Sequence, residues 1–147
     1  MLVFAKRVLL SALVMGLAGC GTELPPDQRQ VFPASGTVSF QGKPIPDATV
    51  RLHPVKPPDD GKPVYISRGR VEDGGEYSIS TYAIADGAPA GKYRVSLSWQ
   101  GPLKGLSEDE VDQLRERLPR KYTSPDTSGL TVMITEDQNR IPEITIQ

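Results

Sequence analysis

The chain has 147 residues, with 14 glycines, 14 prolines, one cysteine and one histidine, and 17 basic against 18 acidic side chains give a formal charge of −1. That length suits one domain with short extras, and a single cysteine excludes an internal disulfide and a cysteine-based zinc site. Removing a leader that carries Lys6 and Arg7 leaves 15 basic against 18 acidic side chains, or −3, a balance with no overall electrostatic footprint for nucleic acid.

Residues 1–19 read as a secretory leader, with the basic pair Lys6 and Arg7, an apolar run of roughly ten residues from Val8, and small residues up to Cys20. The run is shorter than the about 20 apolar residues that span a bilayer. Leu17-Ala18-Gly19-Cys20 resembles the lipobox of bacterial lipoproteins. The resemblance implies cleavage after Gly19, a diacylglycerol thioether on the Cys20 thiol and acylation of the new amine. Cys20 is then the lipidation site, the point of contact with membrane lipid and not a catalyst. Two or three acyl chains, at about 0.8 kcal/mol per buried CH₂, hold a protein on a membrane. Gly21 stands where many lipoproteins retained at an inner membrane carry aspartate, which points to an exported protein of the outer membrane. Residues 20–33 form the lipidated cysteine and its tether: polar, proline-containing and without periodicity. As a polyproline-like segment at roughly 3.1 Å per residue, it reaches no more than about 40 Å.

From residue 34 onward the pattern is that of strands. Val38 and Phe40 alternate with polar residues, a turn follows over Gln41–Asp47, and Ala48, Val50 and Leu52 alternate again. The proline- and aspartate-rich stretch 54–63 is loop. A short strand is predicted over 64–71, a turn at Glu72–Gly75, and a strand carrying Tyr77 and Ile79. The clearest alternation is Tyr93, Val95, Leu97 and Trp99, separated by Arg94, Ser96 and Ser98, the period of a strand with one packed and one wet face. Leu130, Val132 and Ile134 repeat it, Asp137–Asn139 turns the chain, and Ile144 and Ile146 close it. Seven short strands separated by turns predict an all-β, seven-stranded Greek-key β-sandwich over residues 34–147.

One short helix is predicted between the late strands. Ser107 serves as N-cap with Glu110 completing a capping box, acidic residues 108–110 sit at the positive end and Arg115 and Arg117 near the negative end, and Val111, Leu114 and Leu118 make an apolar stripe before Pro119. The expected role is an amphipathic flap, or a lid over a binding surface.

The order of GTVSFQGKPIPDATVRLHP, GRVEDGGEYSIS, DGAPAGKYRVSL and the C-terminal KYTSPDTSGLTVMITEDQNRIPEITI resembles the carboxypeptidase regulatory-like, or transthyretin-like, β-sandwich domain of many small bacterial lipoproteins. The resemblance implies a transthyretin-like (prealbumin-like) fold and a non-catalytic, often accessory, module. The same fold hosts 5-hydroxyisourate hydrolases, the enzyme alternative. Those resemble one another in several histidines, an arginine and a C-terminal Tyr-Arg-Gly-Ser, whereas this chain has only His53 and ends in Pro142–Gln147.

No catalytic, cofactor-binding or metal-ligating set stands out. His53 ends a strand without a second histidine. Asp59 with Asp60, and Glu72 with Asp73, are turn pairs whose carboxylates favour local hydrogen bonds. The expected function is that of a lipid-anchored binding or structural component of the cell envelope, with an envelope protein or a glycan as partner and no cofactor. An exposed aromatic cluster would favour glycan binding; Tyr77, Tyr93 and Trp99 are assigned to the core, which leaves Tyr65, Tyr82 and Tyr122 as scattered candidates.

Overall fold

The computed structural model describes residues 23–147; the predicted leader, Cys20 and Gly21 lie outside the described residues. The described chain is all-β, built as two sheets. In chain order the strands are β1 (Ala34–Phe40), β2 (Lys43–Pro44), β3 (Thr49–Pro54), β4 (Ser67–Arg70), β5 (Glu76–Ser78), β6 (Gly91–Ser98), β7 (Thr131–Ile134), β8 (Asn139–Arg140) and β9 (Ile144–Ile146). The seven predicted segments are all represented. The two additional strands, β2 and β8, are two-residue pairings too short to carry an alternation.

The first sheet is organised on β1. It pairs antiparallel with β2 and β5 and parallel with β8 and β9, so the C-terminal strands lie beside the first one. The second sheet runs β4-β3-β6-β7, antiparallel throughout. Both supply a single core: Val38, Tyr77, Ile144 and Ile146 from the first, Val50, Leu52, Tyr93, Val95, Leu97, Val132 and Ile134 from the second. The period-two alternation produces this directly, because each strand turns every second side chain inward.

Four predicted features differ. The strand expected over 64–71 begins only at Ser67, and Val64, Tyr65 and Ile66 are exposed. Its inward positions are small: the Tyr77 ring and the Ser78 carbonyl crowd Gly69, where a Cβ would stand 2.8 Å from the Ser78 carbonyl oxygen and 3.1 Å from the ring, and the Ser67 hydroxyl shares a hydrogen bond with Thr81. Trp99 lies just past the end of β6 and is half-buried. Its indole N–H donates to the Pro46 carbonyl at 2.9 Å, and its ring meets Phe40 edge-on. Tyr122, expected on the surface, is buried within a 3₁₀ turn, Arg120–Thr123.

The fourth is the helix, α1, which spans only Glu108–Asp112 and buries no residue. The Glu110 carboxylate accepts the Ser107 N–H at 2.8 Å, the reach-back half of the capping box, and also the Ser107 hydroxyl at 2.8 Å. The helix ends early because the chain beyond it is recruited elsewhere. The Glu116 carboxylate accepts from the Trp99 N–H at 2.9 Å and the Ser98 hydroxyl at 2.8 Å, and the Arg117 N–H donates to the Trp99 carbonyl at 2.8 Å. Leu118 therefore enters the core from an irregular segment, not from a helical stripe. Asp47 fastens the other end of the excursion: it accepts from the Leu103 N–H and from Arg70, and these bonds, the Leu103 one foremost, hold its carboxyl below the usual carboxylate range.

Candidate functional site

One end of the domain carries a cleft built from four separate segments. Tyr65 comes from the β3–β4 loop, Tyr82 from the turn after β5, Pro89 and Tyr93 from the approach to β6 and its first residues, and Arg29 from the segment before β1. Pro54, Pro58, Val64, Lys56 and Lys92 add to the lining, around a cavity of about 40 Å³ that is partly open to solvent. Tyr65 and Tyr82, distant in sequence, meet edge to face with ring centroids 5.3 Å apart. Such pairing is the favoured geometry for two quadrupoles and fixes both rings.

The Asp86 carboxylate makes this arrangement possible. It accepts the backbone N–H groups of Thr81, Tyr82 and Ala83 at 2.7, 3.0 and 2.9 Å, winding residues 81–86 into a tight turn that presents Tyr82. Thr81 closes the base, donating to the Gly87 carbonyl and sharing a hydrogen bond with Ser67. Gly87 is required there. Its φ is +99°, and a Cβ would lie 1.8 Å from the Phe32 carbonyl oxygen, where Phe32 and Ala88 exchange backbone hydrogen bonds.

Residues within the stretch read as a tether form a clasp on the cleft. The Arg29 guanidinium donates to Asp60 through Nε and Nη2 and to the carbonyls of Lys62 and Pro63, while its backbone N–H donates to the Tyr82 hydroxyl at 3.0 Å. Lys62 returns a hydrogen bond from Nζ to the Gln28 carbonyl. The Arg29 hydrogen bonds, followed by that of the Lys62 N–H, hold the Asp60 carboxyl below its ordinary range. Tyr93, whose hydroxyl donates to the Pro89 carbonyl at 2.7 Å, is pushed up to about 12 by burial.

The residues singled out in the sequence fall in different places. Asp60 belongs to the clasp, whereas Glu72 and Asp73 lie exposed in the β4–β5 turn. His53 sits on the second sheet with Nε2 2.8 Å from the Ser96 hydroxyl, its pKa lowered first by burial and then by the Arg51 charge. Among the described residues no group of three or more His, Cys, Asp or Glu side chains is arranged to hold a metal ion, and no helix is long and apolar enough to cross a membrane. The tyrosine cleft was missed because Tyr65 and Tyr82 read as scattered. The available signal was Thr81 to Asp86, a threonine and an aspartate bracketing a short segment after a strand. No protein-family model matches the chain, and no curated protein matches it.

Proposed function

We propose that this chain is an exported, lipid-anchored, non-catalytic binding module of the cell envelope, a Greek-key sandwich of the transthyretin-like type held to the membrane through Cys20. The observation that carries the binding reading is the tyrosine cleft. Rigid aromatic faces, three prolines and a fringe of cationic side chains, around a small concavity that opens to solvent, are suited to the edge of an amphipathic ligand. A glycan is favoured over a protein partner because the cleft is narrow and aromatic, and a sugar ring presents an apolar face with polar edges to Tyr65 and Tyr82.

Two sheets around a single core, together with the sequence pattern, support the sandwich type; the chain returns at its C-terminus to lay β8 and β9 beside β1, in parallel. The lipobox-like Leu17–Cys20 supports the anchor. The decisive experiment is calorimetric titration of the purified protein with soluble cell-wall glycan fragments. Binding by the wild type that weakens about tenfold in Tyr82→Ala, the loss expected for about 1.4 kcal/mol at an aromatic contact, supports the reading. Absence of binding by the wild type, or equal binding by Tyr82→Ala, refutes it.

A further inference from the structure

The outer face of the second sheet concentrates positive charge that the overall composition hides. Register places Arg51 on β3 directly opposite Arg68 on β4, and on its other side Arg51 faces Ser96 of β6; one pair further along, His53 faces Arg94. Arg70 and Lys92 extend the same face. Arg70 and Arg94 have carboxylate partners, Asp47 and Asp126. Arg51, Arg68 and Lys92 make no ion pair among the described residues, and residues 1–22 contain no Asp or Glu. Like charges directly opposite on a sheet destabilise it, so the Arg51–Arg68 pair is an unfavourable contact that an external anion would relieve.

The rim of this face is apolar. Ile66 alternates with the buried Ser67 and so points outward with Arg68; Met133, paired with Lys92, is 58% exposed; Ile84, which borders the hollow floored by Arg51, Arg68 and Arg70, is 97% exposed. The face is broad and open, without the convergent walls of a small-anion pocket. Cationic side chains ringed by protruding aliphatic ones match an anionic bilayer, where phosphates meet the arginines and the aliphatic tips enter the headgroup layer. The chain reaches the domain beside this face: Tyr82, which receives the Arg29 N–H, borders the same hollow as Arg51 and Arg68.

We infer that the Arg51–Arg68 face of the second sheet is a docking surface for a bilayer of anionic phospholipid, against which the domain lies flat. The inference takes the nearness of the membrane from the Cys20 anchoring reading, and the test separates the two. Full chain purified in detergent is reconstituted into vesicles of phosphatidylcholine alone or of phosphatidylcholine mixed with phosphatidylglycerol, and the rate of arginine modification by phenylglyoxal is followed peptide by peptide. On anionic vesicles Arg51 and Arg68 should react at least about fivefold more slowly than on neutral ones, while the exposed Arg115 is unchanged. The protection should vanish near 0.5 M salt, where screening shortens to about 4 Å. Equal rates on the two vesicle types overturn the inference. So does protection that ignores lipid charge and salt, the result expected if a second copy or another protein covers the face. Intact mass of the same sample reports whether Cys20 carries lipid, so the anchoring reading fails or stands on its own readout.

Discussion

Replacing Tyr77 with phenylalanine should stabilise the protein, although the residue is one of the largest in the core. Tyr77 is 1% exposed and its Oη, alone among the buried side-chain polar atoms of the described residues, has no hydrogen-bond partner. The hydroxyl lies tight against β1: a Cβ on Gly36 would come within 2.6 Å of it and 3.1 Å of the Ile141 Cβ. A buried donor left unpaired costs about 1–3 kcal/mol. Deleting the oxygen forfeits several dispersion contacts at about 0.1–0.2 kcal/mol each and leaves a gap smaller than a methyl group, a loss of about 0.5–1 kcal/mol. The balance favours Tyr77→Phe by about 0.5–2 kcal/mol, which raises the melting temperature of a domain of this size by roughly 2–8 °C. Urea unfolding of both proteins, with the slope unchanged, measures it. A Tyr77→Phe midpoint lower by 1 kcal/mol or more refutes the reasoning and means that the hydroxyl is satisfied. A double-mutant cycle strengthens the test. Gly36→Ala should be strongly destabilising in the wild type and partly rescued in Tyr77→Phe, with a coupling of about 1 kcal/mol or more.

Stability should also fall in alkali. Burial raises the pKa of Tyr77 and takes Tyr93 to about 12, so above pH 10 the unfolded chain releases both protons while the fold retains them. Stability is therefore fully present below pH 10 and drops as pH rises, by up to about 1.4 kcal/mol per tyrosine per pH unit, with the Tyr93 share complete near pH 12; pH-dependent urea midpoints that stay flat to pH 11 contradict this. Gly87→Ala, with its Cβ 1.8 Å from the Phe32 carbonyl oxygen and a φ of +99°, should either cost more than about 3 kcal/mol or release the segment around Arg29. Trypsin distinguishes these outcomes by the rate of cleavage after Arg29, and a variant with wild-type stability and wild-type resistance rejects the close approach. Leu118→Ala should cost about 2–5 kcal/mol, as for other buried leucines, whereas the half-buried Leu114→Ala should cost about 1 kcal/mol or less; equal losses would mean that the two leucines share one helical stripe after all.

Local pattern was sufficient for most of the strands. In β3, β6, β7 and β9 the inward positions are Val, Leu, Ile or Tyr at every second residue, and that spacing needs no knowledge of the partner, because a half-buried strand imposes it on any sheet. The turn residues separating these strands, and the capping box of α1, were legible for the same reason: their bonds close within a few positions. What depended on distant residues was not. The inward positions of β4 are Gly69, crowded by the ring of Tyr77, and Ser67, hydrogen-bonded to Thr81, so β4 has no apolar alternation to read. The helix stops at Asp112 because Glu116 and Arg117 bond to Ser98 and Trp99, a competition invisible in the helix's own sequence. Tyr65 and Tyr82 become one site only after Asp86 winds its turn, and Arg51 and Arg68 become one charged face only through the β3–β4 register. Period and turn chemistry are local energies written along the chain; which side chains share a cleft or a face is set by pairing across it, and that pairing is decided by the packing of the whole core.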